Sequence, residues 1–270
     1  MPELPEVETI RRGLEPLITR QFISDVEVRE RRLRWPVTRN LAGLLRGQQI
    51  LQLGRRAKYL LIKTSNGTLL VHLGMSGSLF YLSSVSKPTT HDHIDISFRG
   101  GSCLRFNDPR RFGSIHFTTQ PKLHRLLTKL GPEPLGKDFS AEYLTHVSRS
   151  RRVAIKNHLM NGQIIAGLGN IYATEALFRA GIHPARPAGR ISAARFSGLV
   201  QAIREVLNEA IRSGGTTLKD FVGGDGRPGF FQQSLNVYGR SGDPCFTCGV
   251  PIKRITQSQR SSYYCPRCQR

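Results

Sequence analysis

The second residue of the chain is a proline, followed at once by Glu3, with Glu6 three residues further on. A start methionine before a small residue is expected to be trimmed, which leaves Pro2 as a secondary amine at the chain terminus. A free α-amine titrates near pH ~8, well below a lysine at about 10.4, so a sizeable fraction is neutral and nucleophilic at physiological pH. Nearby positive charge raises that fraction. Attack of such an amine on a sugar carbon gives an iminium intermediate. A carboxylate beside it can move protons as the leaving group departs and the ring opens. The same residues also make an ordinary helix start, with Pro5 in the first turn and Glu6 and Glu8 near the positive end of the dipole. These residues by themselves leave both readings open.

A second chemical signature lies at the other end. Cys245-x-x-Cys248 and Cys265-x-x-Cys268 are separated by sixteen residues. This is the spacing of a four-thiolate zinc ribbon, in which each pair forms a knuckle and a hairpin lies between. One structural Zn²⁺ is therefore expected. Arg260 falls near the predicted hairpin tip, where a metal-stiffened arginine can meet a phosphate. Cys103, in a Ser-Cys-Leu-Arg-Phe run, reads as a buried strand residue without chemistry.

Charge names the class of partner. Lys and Arg number 40 against 19 Asp and Glu, giving +21 and a pI near 10.7. Four thiolates and one Zn²⁺ change this by −4 + 2 = −2, to +19, so the excess survives metal binding. Such a balance points to a polyanion. No apolar run suits a membrane span, and the acidic N-terminus does not resemble a signal peptide. A cytoplasmic protein acting on intracellular nucleic acid is expected, and nothing in the sequence suggests more than a monomer.

The elements that must position these groups divide into two halves. Residues 5–18 have helical spacing, with Val7, Ile10, Leu14 and Leu17 on one face. Segments 22–28, 50–53, 59–63, 68–73, 94–98, 103–106 and 114–117 read as short strands of a two-sheet sandwich or flattened barrel. Two of its loops carry Met75 among small residues and Arg110, Arg111 and Phe112 together; side chains of this kind can wedge into a base-sized gap. Lys58 precedes a strand and could aim an ammonium at a phosphate or an acid. The Gly-Pro-Glu-Pro-Leu-Gly run at 131–136 reads as a linker. Beyond it, 141–147, 153–160, 171–180 and 193–211 are helical, with a basic run containing Arg151 entering the second. A Gly-x-Gly turn feeds a helix capped by Asn170 and suits phosphate binding, with Lys156 upstream. The glycine-rich stretch 216–229 suits a mobile lid or a linker.

Read together, these motifs resemble one family. The N-terminal Met-Pro-Glu-Leu-Pro-Glu-Val-Glu run, Lys58-Tyr59-Leu60, the His72–Gly77 run, the Asp108–Gly113 run, Gly169-Asn170-Ile171-Tyr172 and the four-cysteine terminus occur in this order in bacterial formamidopyrimidine-DNA glycosylases. The resemblance spans the whole chain. It implies an α+β multidomain fold: a two-layer β-sandwich with a leading helix (1–130), a linker (131–137), a helix–two-turn–helix domain (138–225) and a zinc finger (236–270), with DNA in the cleft. It further implies bifunctional glycosylase and abasic-site lyase chemistry on oxidised purines opposite cytosine in duplex DNA.

Residue by residue, Pro2 resembles the Schiff-base nucleophile that attacks C1′. Glu3 is similar to the acid that protonates the sugar oxygen or leaving group, and Glu6 to a supporting carboxylate. Lys58 matches the proton donor at β-elimination, and Arg260 the arginine of δ-elimination and phosphate contact. Met75, Arg110 and Phe112 resemble the side chains that fill the gap left by the flipped nucleotide, with Arg110 facing the orphan cytosine. His91, Arg151, Lys156 and Asn170 match contacts to the DNA backbone, and 216–229 the loop that closes over the extruded base. The endonuclease VIII family, specific for oxidised pyrimidines, resembles Met-Pro-Glu-Gly-Pro-Glu at its start and lacks the wedge set, so Leu4, Met75, Arg110 and Phe112 argue against it. A non-catalytic zinc-ribbon nucleic-acid-binding protein leaves the Pro-Glu start unexplained.

Overall fold

The computed structural model describes residues 2–214 and 235–270; the glycine-rich stretch 216–229 lies outside them. The chain forms two compact units, the first holding residues 2–128 and the second 129–213 with 235–270.

The first unit opens with helix α1 (Leu4–Ile18). Leu4, Val7, Ile10, Leu14 and Ile18 recur at three- and four-residue intervals and are all buried, so one stripe of the helix faces the core. Eight strands follow, with a short helix α2 (Leu41–Leu45) after the first: β1 (Ile23–Val28), β2 (Ile50–Arg56), β3 (Tyr59–Thr64), β4 (Gly67–His72), β5 (Ser78–Leu82), β6 (Asp92–Phe98), β7 (Cys103–Asn107) and β8 (Ser114–Thr118). They build two antiparallel sheets, ordered β1-β6-β7-β5 and β2-β3-β4-β8. Alternate residues such as Leu60 and Ile62, Leu69 and Val71, and Ile94 and Ile96 enter a shared core with α1. Each fully buried leucine or isoleucine contributes on the order of 1.5–3 kcal/mol. The expected sandwich is therefore present, and β5 is a strand that the sequence pattern did not give.

The second unit is helical: α3 (Ala141–Ser148), α4 (Ile155–Leu159), α5 (Asn170–Arg179) and α6 (Ala193–Arg212). Ser140 and Ser192 cap α3 and α6 by accepting from the amides of Tyr143 and Arg195. Phe139, Leu159, Tyr172, Leu177, Phe196, Ile203 and Leu207 fill the core. The N-cap of α5 is Gly169, and Asn170 is its first helical residue rather than its cap. The basic run at 149–152 lies in the turn between α3 and α4, with Ser150 at φ 59°. A two-stranded hairpin, β9 (Lys253–Gln257) and β10 (Arg260–Tyr264), completes the unit, and a small core of Val237, Ile252 and cysteines holds it.

Candidate active site and DNA-binding surfaces

Pro2 is half-buried and leads directly into the start of α1. Glu3 is the N-cap, extended at φ −104°. The Glu6 carboxylate accepts from the Glu3 amide at 2.7 Å, and the Glu3 carboxylate in turn accepts from the Glu6 amide. This reciprocal box fixes both carboxylates at the start of the helix, directly after Pro2 in the sequence. Both acids are buried, at 1% and 2% exposure. The residues that start the helix are the same ones to which the family resemblance assigns the chemistry.

Lys58 sits on the two-residue turn between β2 and β3, where Arg56 pairs with Tyr59. Ala57 precedes it at φ 53°, a left-handed conformation that costs an L-residue about 1–2 kcal/mol. Arg55, which the sequence did not single out, holds this turn. Its Nη1 donates to the Ala57 carbonyl at 2.9 Å, and its Nε donates to Glu8 on α1 at 3.3 Å. One guanidinium therefore joins the helix carrying Pro2 and Glu3 to the turn carrying Lys58. His72, at the end of β4, was likewise unassigned. Its Nδ1 accepts from the Gly74 amide at 3.0 Å, which leaves Nε2 as the donor of the neutral ring. Burial, with the charges of Lys58 and Arg34, pulls its pKa down to about 4.

Met75 and Phe112 are large apolar side chains left 44% and 40% exposed. The Arg110 guanidinium lies 4.7 Å from the Phe112 ring centroid, a cation–π stack. Arg111 turns to Glu30, to which it donates at 3.2 Å. His91 is exposed, and its carbonyl accepts from the Asp108 amide. Cys103 is fully buried, and burial pushes its thiol up to about 11, so it is inert at neutral pH.

In the second unit Arg151 is exposed, whereas Lys156 is not. Lys156 has 0% exposure, and its ammonium donates to the Ser261 carbonyl at 2.8 Å and the Ser262 hydroxyl at 2.6 Å. The ammonium thus already has two acceptors on the hairpin, which any contact to a DNA phosphate would share. Asn157 donates to the Ser258 hydroxyl at 2.9 Å. Arg260, itself exposed, stands between these anchors; Ser258 and Gln259 are left-handed at φ 46° and 62° and make the tight hairpin turn before it. Asn170 donates to Ser261 at 3.2 Å and to the Tyr238 hydroxyl at 3.3 Å. Glu175 on α5 receives the amides of Asn236, Val237 and Tyr238, which sets Tyr238 beside Asn170. Neither Glu175 nor Tyr238 stood out in the sequence, since their partners lie more than sixty residues away.

The sulfurs of Cys245, Cys248, Cys265 and Cys268 lie within 4.8 Å of one another. The Cys248 and Cys265 sulfurs lie 3.4 Å apart and those of Cys245 and Cys268 4.0 Å apart. Tetrahedral Zn–S bonds of about 2.3 Å place sulfurs roughly 3.8 Å apart, so the four residues fit one zinc ion.

Three family models match in chain order: the formamidopyrimidine-DNA glycosylase N-terminal domain over residues 1–115, its H2TH domain over 130–222, and the zinc finger found in FPG and IleRS over 242–270. This chain belongs to the formamidopyrimidine-DNA glycosylase family. Formamidopyrimidine-DNA glycosylases of Stutzerimonas stutzeri and Pseudomonas aeruginosa are 55% and 53% identical to it, with all of each chain covered. The glycosylase is also similar to the Lactococcus lactis enzyme solved as a mutant with Fapy-dG containing DNA: 34% identity, TM-score 0.91, both chains covered in full. The Thermus thermophilus enzyme gives 39% identity and a TM-score of 0.87 over 99% of this chain and 98% of that one. The chain is thus a base-excision-repair DNA glycosylase with abasic-site lyase activity, and its ribbon is the family's zinc finger.

Proposed function

We propose that this glycosylase removes oxidised purines, 8-oxoguanine and formamidopyrimidines, from duplex DNA opposite cytosine through a covalent Pro2 intermediate. A base stacked in a duplex is inaccessible, so the nucleotide must be extruded at a cost of a few kcal/mol. Met75, Arg110 and Phe112 then fill the gap, with Arg110 donating to the orphan cytosine. Neutral Pro2 nitrogen bonds to C1′ as the C1′–N9 bond breaks. Glu3 delivers its proton to the sugar oxygen or leaving group, and Glu6 keeps it in place. The Pro2 nitrogen then loses its proton as the protonated ring oxygen leaves C1′, which opens the ring and gives the iminium. Loss of a C2′ proton then expels the 3′ phosphate, with Lys58 as proton donor, and a second elimination expels the 5′ phosphate with Arg260 at that group. Water releases Pro2. His91, Arg151, the α5 N-terminus at Asn170 and Arg260 hold the backbone.

The observation that carries this reading is the reciprocal Glu3–Glu6 box, which buries both carboxylates at the start of α1, directly after Pro2 in the chain. Borohydride should trap the protein on an 8-oxoguanine:cytosine duplex far more efficiently than on an oxidised-pyrimidine duplex. Equal or reversed trapping would move the enzyme to pyrimidine lesions, and no trapping of trimmed protein would remove the Schiff base. We further propose that it acts as a monomer in the bacterial cytoplasm, at the nucleoid; no helix among the described residues is long and apolar enough to cross a membrane.

A further inference from the structure

The Met75 loop and the Arg110–Phe112 loop are separated by more than thirty residues, yet one serine and one aspartate join them. Ser76 donates its hydroxyl to Asp108 Oδ1 at 2.7 Å and accepts the Arg110 amide at 3.3 Å. The other Asp108 oxygen accepts the Gly113 amide at 2.7 Å. Asp108 is fully buried, and its backbone is fixed as well: its carbonyl faces His93 Nε2 at 2.8 Å and its amide donates to the His91 carbonyl at 3.0 Å. The loops also touch through their backbones. A Cβ on Gly74, at φ 66°, would lie 2.3 Å from the Phe112 carbonyl carbon, and one on Gly113 would lie 2.7 Å from the His72 carbonyl oxygen.

From this geometry we infer that Ser76 and Asp108 are positioning residues that lock the two loops into a single rigid wedge, so that Met75 enters the duplex only together with Arg110 and Phe112. The inference rests on the gap-filling reading of those three side chains. Serine suits the task because its hydroxyl donates to one loop and accepts from the same loop's next turn, whereas alanine does neither and threonine does both. Ser76 is partly exposed, so a threonine methyl has room. A wedge assembled in advance avoids ordering two separate loops as each enters the stack.

The test uses the full-length zinc-loaded protein and a duplex with a tetrahydrofuran abasic-site analogue opposite cytosine and 2-aminopurine as the flanking base. Fluorescence rises as wedge insertion unstacks the probe. Ser76→Thr should retain the wild-type amplitude, and Ser76→Ala should lose at least two-thirds of it, with kcat/KM on a lesion duplex down about tenfold. Met75→Ala and Phe112→Ala should be non-additive in the parent and become additive in the Ser76→Ala background. If Ser76→Ala does not fold, Ser76→Cys, whose thiol is a poor donor, gives the same readout. Equal amplitudes for the alanine and threonine variants, or non-additivity that persists without the hydroxyl, would overturn the coupling. Full amplitude in Met75→Ala and Phe112→Ala themselves would remove the gap-filling reading and the coupling with it.

Discussion

Glu3 is buried at the N-terminus of α1, and its backbone amide is held by the Glu6 carboxylate. Glu3→Gln keeps an acceptor for the Glu6 amide but cannot deliver a proton. Base excision should therefore fall about 10²–10⁴-fold, the range of general-acid contributions, while cleavage of a preformed abasic site falls less. Single-turnover assays on the two substrates separate these, and an equal loss on both would assign Glu3 a structural role. Pro2→Gly retains a terminal amine, though a primary one. Catalysis should drop by about tenfold or more with lesion affinity within about twofold, measured by single-turnover rates and by titration of an uncleavable analogue. The four-thiolate zinc site and the helix start at Pro5 and Glu6 were legible in the sequence, because each signal is local in the chain. Arg55, Ser76 and Glu175 were not, because their partners are distant: Glu8, Asp108 and the amides at 236–238.

Among the elements, the hairpin β9–β10 offers a sharp distinction. Lys156 donates to it from within the protein, whereas Arg260 and Arg151 are exposed. Lys156→Met should lower DNA affinity and thermal stability by about 1–3 kcal/mol, the cost of leaving buried acceptors without a donor, with an unchanged salt slope. Arg260→Ala or Arg151→Ala should instead reduce the slope of log K against log salt by about one. A reduced slope for Lys156→Met would count that residue among the phosphate contacts. Most element positions followed from hydrophobic periodicity: α1, seven of the strands and the four later helices. Strand β5 was missed because it pairs only with β7 at a sheet edge and buries just Leu79, so it shows no alternation. On the second sheet, burial lowers His72 and His116 to about 4. Both sit below the usual histidine value, so the unfolded chain binds more protons between pH 6.5 and 4. Stability is present above pH 6.5 and should fall as pH drops through that window, by a few kcal/mol at most for the pair. His116→Leu should flatten the fall in chemical denaturation series.

For the whole molecule, the +21 charge supplies a sequence-independent attraction to DNA, and the zinc finger orders part of the surface that uses it. The finger's own core is Val237, Ile252 and the cysteines, too small to persist without metal. Chelation should therefore abolish tight DNA binding while the β-sandwich keeps its thermal transition. Unchanged affinity in zinc-free protein would contradict the clamp assigned to Arg260. The function proposed for this machinery centres on one bond, between the Pro2 nitrogen and C1′ of the extruded nucleotide. The most direct measurement is peptide mass spectrometry of the borohydride-reduced adduct formed on an 8-oxoguanine:cytosine duplex. The account predicts a mature chain beginning at Pro2 with the sugar remnant on that residue. An adduct on Lys58 or any other side chain, or a reactive chain still carrying Met1, would contradict it.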